Sequence, residues 1–131
     1  LVILSVMNME LTQNIALKKN IYNVYENPKN LFKLKASYTM QNTGNIFNPD
    51  FFVIDEKTKL IFRKEMFSNE GDLDSEYIIR DKRYTMKEIC NDLKKSGFKI
   101  IESRFVQAGN WNTPLENTDS KAKEILLIVR K

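Results

Sequence analysis

The fold is decided by residues 85–98, TMKEICNDLKKSGF. Thr85 followed three residues later by Glu88 is the capping-box pattern, in which the hydroxyl and the carboxylate satisfy unpaired amides of the first helical turn. Apolar side chains then recur at the spacing of one helix face, namely at Met86, Ile89, Cys90 and Leu93. Gly97 stands where many helices end in a left-handed residue. The stretch therefore predicts an amphipathic helix that begins after Thr85 and ends before Gly97.

Two strands follow this helix. Residues 99–107, KIIESRFVQ, are rich in branched and aromatic side chains, which favour a strand. Residues 124–129, EILLIV, are nearly all apolar, as in a strand covered on both faces. Residues 108–120 between them predict a turn-rich loop. A buried last strand needs a larger sheet around it, so this ending predicts a layered α/β fold.

Composition narrows the class of protein. The 131 residues are 42% hydrophobic and carry a net charge of +4, which is ordinary for one globular domain. The single cysteine excludes an internal disulfide and fits a reducing compartment, and the absence of histidine excludes histidine-dependent catalysis within these residues. No apolar run approaches the roughly twenty residues that cross a bilayer, and the apolar start lacks the features of a signal peptide. We therefore expect a soluble, cytoplasmic protein without a membrane partner.

The chain starts with residues 1–7, LVILSVM, which predict a central strand buried on both faces. An unpaired strand edge is normally protected by charge, proline or a covering element, and none of these occurs in the stretch. We expect that an N-terminal neighbour is missing, that residues 1–131 form one partial domain, and that they associate through Leu1–Met7.

The next segment predicts two helices. An apolar stripe runs through residues 8–25, and Asn27-Pro28 ends that helix because the residue before proline avoids helical geometry. Asn30 is the expected cap of a second, shorter helix that ends at Thr43-Gly44.

A hairpin is predicted next, from residues 51–54 and 60–67 around the polar turn 55–59, with a short extended segment over 76–84. An acidic loop lies between them, and it contains or adjoins Glu70, Asp72, Asp74 and Glu76. The Asp-x-Asp-x-Asp-Gly order of a calcium loop is missing, so a solvated loop without metal is the favoured interpretation.

The order and spacing of these elements resemble those of class I, Rossmann-like S-adenosylmethionine-dependent methyltransferases. Residues 1–8 are similar to the fifth strand of that family. Residues 83–102, which open with Arg-Tyr-Thr and end with Ile-Ile-Glu, are similar to its last helix and sixth strand. Residues 122–131 resemble its seventh strand, which runs antiparallel between strands five and six. The resemblance covers the whole chain and lies in order and spacing.

The resemblance implies the C-terminal, acceptor-side portion of such a methyltransferase. It implies a central strand at 1–8, a helical and β-hairpin insertion or lid at 9–80, and the last helix with the closing strand pair at 81–131. It further implies S-adenosylmethionine as the cofactor of the complete enzyme, which transfers a methyl group to an unidentified acceptor. The glycine-rich turn and the ribose-binding carboxylate of the family lie in its other half, so no cofactor-binding residue is expected here and the 131 residues alone are expected to be inactive. Methyl transfer depends mainly on alignment, and no catalytic residue is assigned.

Candidate substrate contacts follow from the predicted topology. Trp111 is the only tryptophan and lies among polar residues and proline, so it either covers an edge of the core or contacts substrate. Ligands of open α/β sheets bind beyond the carboxyl ends of parallel strands, and binding residues concentrate in loops on such a rim. If strands 1–8 and 99–107 are parallel, their ends lie together. The substrate-side candidates are then Met7, Asn8, Gln107, Asn110 and Trp111.

Two further features have a plainer interpretation beside a functional one. Cys90 lies on the apolar stripe of the helix, so core packing is favoured over a reactive thiol. Five lysines against Glu26 make residues 18–35 basic, and a solvated helix face is favoured over phosphate contact. These lysines are Lys18, Lys19, Lys29, Lys33 and Lys35.

The alternative function belongs to a different class. It is a small, non-catalytic α+β module that contacts nucleic acid or an acidic partner through the lysines of residues 18–35. A regulatory subunit that borrows a catalytic partner is a second alternative, which the sequence does not separate from the first.

Overall fold

The computed structural model describes residues 1–16, 18–38, 46–67 and 75–131. In these ranges the chain forms, in order, β1 (Val2–Met7), α1 (Met9–Ile15), a 3₁₀ helix (Lys18–Asn20), β2 (Ile21–Tyr22), a second 3₁₀ helix (Pro28–Lys33), β3 (Ala36–Tyr38), β4 (Phe52–Asp55), β5 (Ile61–Phe67), β6 (Ser75–Asp81), α2 (Met86–Lys95), β7 (Lys99–Gln107), β8 (Asn110–Leu115) and β9 (Glu124–Arg130). The protein is a mixed α/β protein whose strands pair mostly antiparallel. No helix among the described residues has the length and apolar character needed to cross a membrane.

The chain divides into two compact units. The first unit contains residues 1–14 and 83–131, and the second contains residues 15–82. The second unit begins later than the insertion expected over 9–80, since α1 belongs to the first unit.

The sheet of the first unit has the strand order β1-β9-β7-β8. β9 runs antiparallel to both β1 and β7, so β1 and β7 are parallel to each other. The last strand therefore lies between the first strand and the strand that follows α2, as the sequence predicted.

Residues 1–7 form the predicted strand, and its central position stays a prediction. β1 pairs with β9, and no strand in the described part of the chain pairs with its other edge. Leu1, Val2 and Ile3 are exposed, whereas Leu4 and Val6 pack against the core. An apolar run indicates what a strand is able to bury and does not specify how many strands lie beside it.

α2 follows the predicted pattern closely. The Thr85 hydroxyl accepts a hydrogen bond from the Glu88 amide at 3.2 Å, and the Glu88 carboxylate accepts one from the Thr85 amide at 2.8 Å, which confirms the capping box. Gly97 follows the helix with φ +85°, in the left-handed region that the sequence predicted for it. The apolar face of the helix packs on one face of β9, through Ile89, Ile125, Leu127 and Val129.

Residues 108–120, predicted as a loop, contain a strand. β8 pairs with β7 across a tight turn at Gly109, whose φ is +78°. Pro114 lies within β8, which is compatible with a strand because β8 is at the edge of the sheet among the described residues and a proline there costs no ladder bond on its open side. The proline that contributed to the loop prediction is therefore also compatible with an edge strand.

The second unit is organised around β5. β4 and β6 flank this strand in antiparallel pairing, which confirms the predicted hairpin. The extended segment expected over 76–84 is the seven-residue strand β6, which ends at Asp81. β3 pairs parallel with β5, next to the part of β5 that pairs with β4. β2 pairs parallel with β4. Val24, Leu34, Val53 and Phe62 form its apolar core.

The long helix predicted over residues 8–25 is wrong beyond Ile15. Ile21 and Tyr22 instead pair with Ile54 and Asp55 as β2. Branched and aromatic residues favour extended backbone, and the apolar residues of this segment fit a short, partly exposed strand and a turn as well as a helix.

The second predicted helix is also wrong, because a 3₁₀ helix occupies residues 28–33 and β3 follows it. Pro28 stands at its first turn, where the fixed φ and missing N–H of proline are compatible with a helix start. Asn30, the expected cap, lies inside that helix and donates its side-chain amide to the Asn23 carbonyl at 3.0 Å. The predicted end at Thr43-Gly44 lies outside the described residues.

Candidate functional site

The carboxyl ends of β1 and β7 lie at the same edge of the first sheet, because these strands are parallel and share β9 as a neighbour. Glu124 at the start of β9 pairs with Met7 on one side and with Val106 on the other. Gln107 pairs with Asn110 across the β7–β8 turn. We call Met7, Gln107, Asn110, Trp111 and Glu124 the rim. Four of its five members are sequence-predicted candidates, and the structure brings them to one edge.

Trp111 is joined to Glu124 across β7. Its indole Nε1 donates a hydrogen bond to Glu124 Oε2 at 2.8 Å, while β8 and β9 lie on opposite sides of β7. The bond therefore passes over Val106, which pairs with Glu124 and has no exposed surface. Trp111 itself keeps 39% of its surface exposed. Cover of a core edge and contact with substrate both stay predictions for this tryptophan.

Asn8, the fifth candidate, has a different environment. It has no exposed surface, and its side-chain Nδ2 donates to the Ala122 carbonyl at 2.7 Å. Its Oδ1 accepts from the amide of Glu10 at 2.9 Å, and from that of Leu11 at 3.4 Å, at the start of α1. The structure therefore places Asn8 as a buried tie between the end of β1 and the segment that leads into β9.

A buried polar network supports this end of β1. Arg83 Nη1 donates to Thr12 Oγ1 at 2.9 Å, and the same hydroxyl donates to the Asn8 carbonyl at 3.0 Å. The Tyr84 backbone exchanges hydrogen bonds with Met7 and Met9 at 2.9 and 2.8 Å. Sequence reasoning missed this network, because 71 residues separate Arg83 from Thr12 and neither stands in a local motif.

Sequence reasoning also missed Glu124. The sequence feature that could have indicated Glu124 is its position as a carboxylate at the start of an otherwise apolar strand. Such a residue is costly within a buried strand unless it has a polar partner, and the structure supplies Trp111 as that partner.

One acidic and one basic group of the second unit, Asp55 and Arg63, are held in their charged forms. Burial alone would raise the pKa of Asp55, but hydrogen bonds from the Thr58 side chain and from the amides of Thr58, Val24 and Tyr25 outweigh it and lower the pKa to about 2. Burial lowers the pKa of Arg63, and the hydrogen bond and charge of Asp81 outweigh that effect and raise it. Asp55 is therefore too weak a base at neutral pH to take a proton from a substrate.

Arg63 makes a two-point contact with Asp81, in which Nε lies 3.0 Å from Oδ2 and Nη2 lies 3.3 Å from Oδ1. Its Nη1 also donates to Glu65. All three side chains are largely buried, so the arrangement is a structural ion-pair network between β5 and β6.

The lysines of the alternative function do not share one helix face. Lys19, Lys29 and Lys35 are exposed, on two 3₁₀ helices and a connecting segment. Lys19 and Asp50 both line a cleft of about 160 Å³ in the second unit, so the cleft carries both signs of charge. Lys35 Nζ lies 5.4 Å from the centre of the Phe51 ring.

The remaining candidates have structural environments. Cys90 is half-buried and packs against the apolar cluster under α2. Glu76 pairs with Lys64 at 3.6 Å on neighbouring strands, whereas Glu70, Asp72 and Asp74 lie outside the described residues. Within the described ranges, no three histidine, cysteine or acidic side chains are grouped as metal ligands would be.

No protein family matches the chain, and neither a curated protein nor a solved structure does. Function has therefore to be inferred from the geometry of the rim and of the sheet that carries it.

Proposed function

We propose that this chain forms the acceptor side of a Rossmann-like S-adenosylmethionine-dependent methyltransferase. The observation that carries the proposal is the strand order of the first unit, in which β9 runs antiparallel between the parallel strands β1 and β7. An antiparallel last strand between two parallel strands, preceded by a helix that leads into one of them, is the closing pattern that the chain's ending resembles.

The rim supports an acceptor-binding role. It lies beyond the carboxyl ends of two parallel strands, where open α/β sheets bind ligands. It combines an exposed indole, a carboxylate and two exposed amides on rigid strand ends, which is the kind of mixed apolar and polar surface that orients a small molecule. Methyl transfer needs an acceptor that is held in line with the methyl group and shielded from water, and both tasks are within the reach of these residues.

The cofactor itself does not fit the residues present. The sequence has four glycines, at positions 44, 71, 97 and 109, and none begins the alternate-glycine turn between a strand and a helix that lets backbone approach a dinucleotide-like cofactor. We therefore assign to this chain the positioning of the methyl acceptor. S-adenosylmethionine would bind to other residues of the complete enzyme.

The test compares the complete open reading frame that contains these residues with the 131 residues alone. Calorimetric titration with S-adenosylmethionine should give a micromolar site for the complete product and no resolvable heat for the 131 residues. The sequence before Leu1 should contain strand–helix units, with a glycine-rich turn after the first strand and an acidic residue about 20 positions later.

A complete product without affinity for S-adenosylmethionine would contradict the proposal. A micromolar site in the 131 residues alone would show instead that the cofactor has been assigned to the wrong half.

A further inference from the structure

Trp111 and Glu124 combine an aromatic face with a carboxylate at the rim. The indole Nε1 donates a hydrogen bond to Oε2 of the carboxylate at 2.8 Å, and 39% of the Trp111 surface stays exposed beside it. No basic side chain in the described part of the chain pairs with this carboxylate. A carboxylate that has an aromatic neighbour and no cationic partner can attract a cation from solution.

Neither of the two neighbouring basic groups pairs with this carboxylate. Arg104 lies one step along the same face of β7, where it pairs with Leu126, and its Nη1 donates to Glu102 at 2.7 Å. Lys123 precedes Glu124 in sequence, and its Nζ forms no ion pair with an acidic group of the described residues.

From this geometry we propose that Trp111 and Glu124 form a binding site for an alkylammonium cation. Tryptophan is the best side chain for cation–π contact, and recognition of alkylated ammonium groups by aromatic residues is a common use of that contact. A carboxylate beside the ring adds direct charge attraction, and both groups repel an anion.

The acceptor class follows if the proposed function holds, since this second step rests on it. The methyl acceptor would then be an amine that binds as its ammonium form and loses one proton to solvent. The nitrogen lone pair forms the new N–C bond while the S–C bond of the sulfonium breaks and its electrons stay on sulfur. The products are the methylated ammonium ion, the neutral thioether and the proton released to solvent, so charge and atoms balance.

The cation site is testable without any cofactor, because Trp111 is the only tryptophan and its fluorescence reports on this position alone. The probe is choline chloride, titrated against sodium chloride of equal ionic strength and against the neutral isostere in which carbon replaces the choline nitrogen. Choline should change the Trp111 emission saturably, with a Kd in roughly the millimolar range. The neutral isostere and sodium chloride should give no saturable change.

The variant E124Q separates charge from shape. Glutamine keeps a side-chain oxygen that can accept the indole hydrogen bond, so the fold should persist, and the affinity for choline should fall about tenfold or more with the lost charge. The indole N–H resonance of Trp111 checks that the site is still formed. The variant E116Q is the matched control, because Glu116 is an exposed carboxylate on the turn that follows β8.

Equal responses to choline and to its neutral isostere in the unaltered chain would overturn the proposal, whether or not E124Q folds. Unchanged choline affinity in a folded E124Q would overturn it as well. A failed choline titration together with cofactor binding by the complete product would leave the methyltransferase proposal standing with an acceptor of another class. The reverse result would leave a cation site without that function.

Discussion

Asp55 Oδ1 lies 2.7 Å from the amide nitrogen of Val24, 31 residues earlier in the chain. The same oxygen accepts from Tyr25 at 3.3 Å, while Oδ2 accepts from the amide and the hydroxyl of Thr58 at 2.8 and 2.6 Å. One buried carboxylate thus satisfies four donors and ties the segment after β2 to the turn between β4 and β5. Hydrogen bonds to a charged acceptor are stronger than neutral ones, so this residue should contribute strongly to the stability of the second unit.

Replacing Asp55 by asparagine should lower the free energy of unfolding by about 2–4 kcal/mol. Asparagine carries no charge, so every hydrogen bond to this side chain would weaken. Its NH₂ group would also replace one of the two oxygens, so that the donors there would face another donor. Urea unfolding measures the change, with D50N as the control because Asp50 is an exposed acid of the same unit. D50N should change stability by less than about 0.5 kcal/mol, and equal effects of the two variants would contradict the role assigned to Asp55.

The lowered pKa of Asp55 also predicts how stability depends on pH. The pKa is about 2 in the folded protein against an ordinary value of 3.8, so the unfolded chain binds the proton first as the pH falls. The stabilisation is complete above about pH 5 and is lost progressively from about pH 4 to pH 2, by about 2 kcal/mol in total. D55N should lack this component, so the difference in unfolding free energy between it and the unaltered chain should shrink across that range. A difference in unfolding free energy that stays constant from pH 6 to pH 2 would contradict the lowered pKa of Asp55.

Local patterns of the sequence predicted the elements whose structure depends on local contacts. The capping box at Thr85, the left-handed Gly97 and the hairpin around residues 55–59 need only neighbours in sequence. The order of β1, β9 and β7 was also predictable, because it followed from a resemblance in the arrangement of whole elements. Elements whose form depends on distant partners were not predicted, and β2 is the clearest case, since Ile21 extends along Ile54 instead of continuing a helix.

The candidate site shows the same division. Topology placed Met7, Gln107, Asn110 and Trp111 at one edge, because the ends of parallel strands must meet there. Topology did not indicate that Asn8 would be buried while Met7 stays half-buried. The burial of Asn8 depends on a hydrogen bond to the carbonyl of Ala122, 114 residues away. Polar groups that satisfy one another across such a distance leave no periodic pattern in the sequence.

Asn8 is expected to stabilise the first unit in two separable ways, by its bond to the Ala122 carbonyl and by capping α1. N8A should lower the free energy of unfolding by about 2–3 kcal/mol, because it removes the cap of α1 and leaves the Ala122 carbonyl without its side-chain donor. N8S retains a hydroxyl that can cap the helix but cannot reach Ala122. The loss of unfolding free energy in N8S should therefore be smaller than that in N8A. Urea unfolding of both variants measures the two contributions. A loss for N8S as large as that for N8A would show that capping contributes nothing measurable.

The exposed lysines give a prediction that separates the two functional classes. Under the methyltransferase proposal, the 131 residues should bind a labelled single-stranded oligonucleotide more weakly than about 100 µM at physiological salt. Substitution of Lys19, Lys29 and Lys35 by alanine should therefore change nothing in a fluorescence anisotropy titration. Binding that weakens steeply between low and physiological salt, and that disappears in the triple variant, would instead support the nucleic-acid module.

The open edge of β1 gives the last prediction. Within the described residues no strand pairs with this edge, and Ile3 there is 61% exposed. Unpaired apolar edges add strands from other chains, and a charged side chain on the edge prevents this. The 131 residues should therefore associate reversibly with concentration in analytical ultracentrifugation, and I3K should sediment as a monomer.

The matched control is I101K. Ile101 is 50% exposed, but it lies in β7, which is paired with β9 on one side and with β8 on the other. A lysine there adds the same charge and removes the same apolar side chain in a strand that β9 separates from β1, so association through the open edge of β1 should persist. Suppression by I101K as complete as that by I3K would indicate that net charge, and not strand pairing, governs the association. A monomer at high concentration in the unaltered chain, with a reversible cooperative thermal transition, would show that β1 does not need a second neighbour.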